Sequence, residues 1–219
     1  MLHTISLLMT MLLTTAAQEL PKGQFPEGWT VRLDGPAHAA HGAAPAAASS
    51  AKDVAFVVMT PGWHITTGPS VILYEASHKA SGTYSVKSET FLFEPGTRRE
   101  AYGILIGGRH LDSDAQAYTY FVIRRTGEFL IRRRTGATTS NVREWTPAPA
   151  IRKFDDKKAD ERSVRNVLEI KVAPETTSFL VNGSEVAKVP TKDIDTDGIV
   201  GLRVNHQLNI HVTSLDIVR

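Results

Sequence analysis

Regular alternation of apolar and polar side chains marks the last part of the chain, from Val164 to Arg219. A period of two is the signature of a strand with one buried face. Asn182-Gly183 lies between two further apolar runs, and this dipeptide favours a type I′ turn because both central residues need positive φ. The region therefore predicts antiparallel strands joined by tight turns. In 164–172, one parity holds Val164, Leu168, Ile170 and Val172, and the other holds Arg165, Glu169 and Lys171.

The same rhythm extends back to Val54, with Gly- and Pro-containing turns between the apolar runs. We expect the longest strand at Gly82–Phe93, a polar loop at Gly107–Asp112, and at most one helical turn within Lys153–Arg162. Many short strands with little helix predict an all-β fold, a two-sheet antiparallel β-sandwich or jelly roll. Further strands are predicted at Trp29–Leu33, Phe56–Met59, Trp63–Ile65, Val71–Tyr74, Tyr102–Ile106, Tyr118–Arg125, Phe129–Thr135, Ser178–Val181, Glu185–Val189, Ile199–Val204 and Leu208–Val218.

The amino-terminal 17 residues are typical of a signal peptide, because Ile5–Leu13 is almost wholly apolar and small residues follow up to Ala17. Cleavage after Ala17 predicts export to the periplasm or the extracellular space. The alternative is an uncleaved hydrophobic tail. A membrane span is disfavoured because the apolar run is well short of about 20 residues.

Residues 18–52 are interpreted as an amino-terminal extension with an Ala/Pro-rich linker, and residues 53–219 as a single β-sandwich domain. Pro36–Ala51 contains no Ile, Leu, Val or aromatic side chain to bury, so it reads as a linker. His38 and His41 lie in this linker without a third ligand nearby, which favours solvated side chains over a metal site.

Composition excludes several functions. The chain has no cysteine, so disulfides, thiolate metal sites and cysteine nucleophiles are ruled out. A formal net charge of +2 gives the molecule as a whole no bias toward nucleic acid. No cofactor is assigned.

Three sequence stretches, taken in order, resemble the concanavalin-like sandwiches, in particular the 3-keto-disaccharide hydrolase-like and laminin-G-like domains. The resemblance covers roughly 54–219. It implies a two-sheet jelly roll and, more loosely, a role in binding or cleaving carbohydrate. The stretches are Tyr118–Ile123 with Thr126–Phe129, Trp145–Ile151, and Asn166–Leu168 leading through Phe179–Gly183 to Gly198–Val204.

Catalytic residues are not apparent from the sequence. The Glu-x-Asp-x-x-Glu pattern of family 16 glycoside hydrolases is absent, and Glu89, Glu128 and Glu169 are isolated on their predicted strands. Glycoside hydrolysis needs two carboxyl groups about 5 Å apart for retention or about 6.5 to 9.5 Å for inversion. A pair assembled from different strands remains an open alternative.

Asp193, Asp195 and Asp197 match the first half of a calcium-binding loop, with Gly198 at its sixth position. The twelfth position is Val204, where a bidentate glutamate would bind the ion. A solvated turn is therefore the favoured interpretation, and no metal is assigned. His206 and His211 are interpreted as ordinary core or surface histidines, unless His206 closes on the loop that carries Arg109, His110 and Asp112.

A basic hairpin is the densest polar feature of the chain. One interpretation is a solvated face with local partners such as Glu128. The other is a saccharide-binding surface, and the saccharide would be acidic if the arginine forks pair with carboxylate or sulfate. The turn at Thr126-Gly127 leaves the strand register open between a two-residue and a longer loop. The candidate ligand-binding residues are Tyr118, Tyr120, Arg124, Arg132 and Arg134; Arg125 and Arg133 lie on the same hairpin.

We therefore expect an exported, non-catalytic, carbohydrate-binding module. One alternative is a glycoside hydrolase of the 3-keto-disaccharide hydrolase-like kind. Another is a structural or protein-interaction subunit of an envelope assembly, with a protein partner. Three observations would distinguish these functions. Convergent carboxylates favour the hydrolase, an open groove with exposed aromatic rings favours the carbohydrate-binding module, and a flat apolar patch favours the interaction subunit.

Overall fold

A computed structural model describes residues 24–34 and 50–219 as two seven-stranded antiparallel sheets packed face to face. The predicted two-sheet β-sandwich is thereby confirmed. Sheet I contains, in spatial order, β1 (Trp29–Leu33), β4 (Val71–Ala80), β13 (Gly198–Val204), β6 (Ala101–Arg109), β7 (Ala117–Arg124), β8 (Glu128–Thr135) and β9 (Thr138–Pro147). Sheet II contains β12 (Ser184–Pro190), β11 (Thr176–Val181), β10 (Val164–Val172), β5 (Tyr84–Leu92), β14 (Asn209–Val218), β3 (Trp63–Thr66) and β2 (Ala55–Val58).

The core lies between the sheets and follows the predicted alternation. On β10 the four residues of the apolar parity are at most 3% exposed. Phe121 of sheet I packs edge-on against Phe179 of sheet II, with ring centroids 5.3 Å apart. Burial of such apolar side chains stabilises the packing of the two layers.

Turn chemistry fixes the strand registers. Asn182 and Gly183 have φ angles of 51° and 84°, as the type I′ prediction requires, and they join β11 to β12. Between β7 and β8 the last pair is Arg124 with Glu128, so the loop has three residues. Gly127 closes that loop at φ 86°, and its amide donates to the carbonyl of Arg124 at 3.0 Å. The longer of the two alternatives for this turn is therefore present.

The strand β1, which lies within the predicted extension 18–52, pairs with a strand of the sandwich. β1 pairs with β4 over its whole length. The ring of Trp29 packs against Phe56 and Trp63 at centroid distances of 5.2 and 5.0 Å. The predicted signal peptide and most of the predicted linker, with His38 and His41, lie outside the described residues.

Three further expectations differ from the structure. β5 is not the longest strand, since β4, β9 and β14 each have ten residues. Gly107 and Gly108 belong to an irregular end of β6 and not to a polar loop. β9 was not predicted, because most of its side chains are exposed and show no apolar alternation. The helical turn expected within Lys153–Arg162 is present as a 3₁₀ turn at Phe154–Asp156. Among the described residues, no helix is long and apolar enough to cross a membrane.

Candidate functional site

The five candidate residues of the basic hairpin share one face of sheet I. Tyr118 pairs across the strands with Arg134, Tyr120 with Arg132, and Arg124 with Glu128. The intervening residues of β7 and β8, such as Phe121 and Ile131, point into the core between the sheets. The hairpin therefore presents its candidate residues on the face that points away from sheet II, called here the outer face of sheet I.

This outer face is concave. Asp34 follows β1 and stays in register with β4, since its amide donates to the carbonyl of Ser70 at 2.9 Å. Its carboxylate nevertheless accepts a hydrogen bond of 2.7 Å from the hydroxyl of Tyr118 on β7. Three strands lie between β1 and β7, which on a flat sheet would separate them by about 19 Å at about 4.8 Å per strand. An aspartate and a tyrosine side chain can bridge that gap only if the sheet curves around them.

A buried ion cluster fills the floor of the concave face. Besides Tyr118, the carboxylate of Asp34 contacts Arg134, at 3.2 Å, and Arg203 of β13. Nη1 of Arg203 also donates to the Tyr118 hydroxyl at 3.1 Å. Desolvation lowers the pKa of Arg203 to about 10, which leaves the guanidinium charged at neutral pH. The cluster thus places two cations around one carboxylate.

The two tyrosines of the hairpin are held inside this cluster and are not displayed as open rings. Tyr118 is fully buried and Tyr120 is 3% exposed. The guanidinium of Arg203 lies over the ring of Tyr120, 4.3 Å from its centroid. Burial raises the pKa of both phenols. Their geometry suits the positioning of arginines better than the stacking of a sugar ring.

Arg124 is engaged with local partners, as the solvated-face interpretation expected. It binds Glu128 through two hydrogen bonds, of 2.7 Å from Nε and 2.5 Å from Nη2, and stacks 4.2 Å from the ring centroid of Trp145. The Arg124 and Thr126 donors lower the pKa of Glu128 to about 2. A carboxyl group that stays ionised at all working pH values cannot act as the general acid of a glycosidase.

Arg132 is the candidate arginine with the least ionic compensation. Its Nε donates to the amide oxygen of Asn141 on β9, and Asn141 in turn contacts Glu144. The Arg132 side chain is partly exposed and makes no direct ion pair within the described residues. It is therefore a cation on the concave face that is free to bind an anionic group.

Asp195 is buried, which corrects the solvated-turn interpretation of the calcium-like motif at that residue. Its carboxylate binds Arg133, at 2.6 Å, and Arg109, and its amide donates to the hydroxyl of Thr119 at 3.0 Å. Asp197 instead accepts from the amide of Gly82 at 3.0 Å. Residues 24–34 and 50–219 contain no group of three or more acidic, His or Cys side chains arranged to hold a metal ion.

The two carboxy-terminal histidines lie apart from the basic hairpin. Nδ1 of His206 lies 2.9 Å from the hydroxyl of Ser70 and 3.6 Å from Glu100, not on the loop after β6 that carries His110 and Asp112. The His206 contact lowers the pKa of Glu100. The Ser70 hydroxyl also lies 3.4 Å from Nε2 of the same ring. On sheet II, Nε2 of His211 lies 2.8 Å from the carbonyl oxygen of Pro61.

Comparison with known proteins supports the fold. No family model and no curated protein sequence matches the chain. Among solved structures it is similar to the carbohydrate-binding module CBM66 from Bacillus subtilis, with a TM-score of 0.59 and 10% identity over 88% of this chain and 96% of that one. It is also similar to two Bacteroides ovatus family 16 glycoside hydrolases. The first, from a mixed-linkage glucan locus and bound to its product, has a TM-score of 0.59 and 8% identity over 90% of this chain and 98% of that one. The second, an endo-glucanase, has a TM-score of 0.58 and 8% identity over 90% and 97%.

At these identities the likeness shows the fold alone, and the chain has the concanavalin-like jelly-roll fold that the sequence predicted. Sequence reasoning missed two residues of the site, Asp34 and Arg203. Arg203 alternates with the buried Leu202 and Val204 on β13, so parity alone would have placed it on the outer face. Asp34 carried no such signal, because its contact depends on the curvature of the sheet.

Proposed function

We propose that the protein is a non-catalytic module that binds saccharide, with a preference for an acidic one, on the concave face of sheet I. The observation that carries the proposal is the excess of positive charge there. Four arginines, on three strands, meet only two carboxylates in their ion pairs within the described residues, those of Asp34 and Glu128. The arginines are Arg124, Arg132, Arg134 and Arg203.

Guanidinium groups suit this ligand class. Each offers a planar fork of donors that matches a carboxylate or a sulfate, and each also donates to hydroxyl groups. A curved, partly desolvated surface strengthens such contacts relative to open water. The carbohydrate-binding module and the glycoside hydrolases that share this fold make a saccharide the first ligand to test.

Two features argue against the glycoside hydrolase alternative. Glu128 is held ionised by Arg124, and Asp34 is buried against two arginines and a tyrosine. Glu128 therefore lacks the raised pKa that a general acid needs. Binding without bond cleavage is therefore the function that these residues support best.

The test is a glycan-array screen of the purified protein, followed by titration of the best hit. A charged hydrogen bond contributes about 1.5 to 3 kcal/mol, so Arg132→Ala is expected to weaken binding by a factor of about 10 or more. Arg219→Ala is the matched control, because that arginine donates to the carbonyl of Lys79, away from the basic hairpin. Failure to bind any glycan would refute the proposal. Unchanged affinity in both Arg124→Ala and Arg132→Ala, with the fold intact, would exclude the hairpin.

Export is part of the proposal and rests on the amino-terminal sequence. The test is to determine the amino terminus of the protein recovered from the periplasm or medium. A terminus at Gln18 is expected, and a chain that still begins at Met1 would contradict the predicted cleavage.

A further inference from the structure

A cavity of about 450 Å³ opens at the end of the concave face, beside the ion cluster. It lies between the end of β1, the loop after β6 and the turn that joins β8 to β9. Ligand pockets commonly have volumes of about 300 to 1,000 Å³, so this one has room for a small polar molecule. Its lining residues are Arg32, Leu33, Asp114, Gln116, Arg134, Gly136 and Ala137.

Gln116 lines this cavity and carries a buried side-chain acceptor that the rest of the described chain does not use. The residue is only 4% exposed, and its side-chain Oε1 has no hydrogen-bond partner within residues 24–34 and 50–219. Its backbone is held on both sides, because its carbonyl accepts from Gly136 at 2.7 Å and its amide donates to Ser113 at 3.2 Å. A buried acceptor without a donor costs about 1 to 3 kcal/mol, so a donor from a ligand would be favoured there.

Two guanidinium groups face the same cavity in fixed positions. Nη1 of Arg32 donates to the carbonyls of Leu111 and Ser113, at 2.6 and 2.8 Å. Arg134 is held by its Nε donation to Gly136, at 2.8 Å, and by Asp34. Arginine has five N–H donors, and these contacts leave others on both residues. The one carboxylate that lines the cavity, Asp114, is fully exposed and lies 3.7 Å from Arg32.

A ligand for this cavity must therefore combine an anionic group with hydroxyl donors. A single hexuronate unit has both. Its carboxylate would bind between the guanidiniums of Arg32 and Arg134, and one of its hydroxyls would donate to Oε1 of Gln116. A neutral sugar would satisfy Gln116 but offer only hydroxyl groups to the remaining N–H donors of the two guanidiniums.

We infer that this cavity is a subsite for one uronic acid unit of the glycan, with Gln116 as the residue that recognises its hydroxyl. The inference rests on the proposed saccharide function and adds the position and the chemical class of one sugar. Arg132 does not line the cavity, so the two sites respond to different variants.

The experiment titrates the purified protein with D-glucuronate and D-galacturonate, and with D-glucose and D-galactose as neutral arms. It follows the side-chain amide resonances of Gln116 by NMR. We expect a uronate to shift these resonances and to bind about tenfold more tightly than the matching neutral sugar. Gln116→Met should weaken the uronate by about fivefold to tenfold and leave the melting temperature unchanged or higher, since an apolar chain replaces an acceptor that lacks a donor.

Asn209→Leu is the matched control, because Asn209 also carries a buried amide oxygen without a partner but lies on sheet II. It should leave uronate binding unchanged. Equal binding of acidic and neutral sugars would overturn the acidic assignment. Unchanged affinity in Gln116→Met would overturn the subsite. If the affinity is unchanged and the melting temperature falls, the role of Gln116 is purely structural. If array glycans bind but neither uronate binds, the subsite is refuted and the proposed function is retained. If no glycan binds, both the subsite and the proposed function are refuted.

Discussion

The hydroxyl of Tyr118 donates to the carboxylate of Asp34 at 2.7 Å, although three strands of sheet I lie between β7, which carries Tyr118, and β1, which Asp34 follows. The contact ties the edge strand β1 to the middle of the sheet. Asp34 is also the only carboxylate, within the described residues, that pairs with the neighbouring Arg134 and Arg203. The concave face is therefore organised by an acidic residue, not by the arginines that dominate its composition.

Neutralising Asp34 should destabilise the protein strongly. Asp34→Asn keeps the shape and an acceptor for Tyr118 but leaves two buried guanidiniums without a counter-charge. Breaking a buried ion pair in this way costs about 3 to 5 kcal/mol, and we expect a loss near the lower value in the free energy of unfolding measured by urea denaturation. Asp114→Asn, at a fully exposed carboxylate, is the control and should change nothing measurable. A loss below about 1 kcal/mol for Asp34→Asn would show that the cluster does not hold β1.

Stability should fall on acidification partly through Glu128. Its pKa in the folded state, about 2, lies below the value of 4.5 for a free glutamate, so the ionised form binds Arg124 and stabilises the fold. This contribution is complete above pH 4.5 and disappears as the pH falls toward 2. Melting temperatures measured between pH 6 and pH 2 should decline less steeply for Glu128→Gln than for the wild type. Parallel curves would mean that Glu128 is not perturbed.

Two glycines with positive φ should respond differently to substitution. At Gly183 an added Cβ meets nothing within 4 Å, so Gly183→Ala costs only the left-handed conformation, about 1 to 2 kcal/mol. At Gly107 the added Cβ overlaps the backbone of Asp195, so Gly107→Ala should cost distinctly more, or prevent folding. Thermal or urea unfolding of the two variants checks the order. Similar losses for both would contradict the tight approach of β6 to the Asp195 loop.

Binding of an acidic glycan should depend on salt. The Debye length shortens from about 10 Å at 0.1 M salt to about 3 Å at 1 M, which screens the partly exposed Arg132. We expect the affinity of an acidic array hit to drop by about tenfold over that range, and that of a neutral hit to stay nearly constant. Arg132→Gln should flatten the salt dependence in isothermal titration. An acidic hit whose affinity ignores salt would argue against ionic recognition.

Much of the fold followed from alternation and turn chemistry, but the shared face of the hairpin depended on one residue of loop length. With the three-residue loop, Tyr120 pairs with Arg132. A two-residue turn at Thr126-Gly127 would have paired Tyr120 with Arg133. Arg132 and Arg134 would then lie on the face of the sheet opposite to Tyr120. The sequence allowed both registers, so the candidate residues were foreseeable and their common face was not.

The floor of the site could not be predicted for a different reason. Asp34, Arg203 and Gln116 lie far apart in the sequence. The contacts that build the ion cluster and the cavity depend on the order of the strands and on the curvature of the sheet. Alternation reports which side of a strand a residue takes, but it does not say which strands are adjacent. Isolated carboxylates and amides therefore give no local signal of the ion cluster or of the cavity.

The position of β14 sets the order in which the molecule is completed. This strand lies between β5 and β3, so the hairpin of β2 and β3 joins the rest of sheet II only through residues 209–218. During synthesis, strands made early must wait for one made some 150 residues later, a dependence on distant contacts that slows folding. The edge of β3 that pairs with β14 therefore has no partner until residues 209–218 have been made.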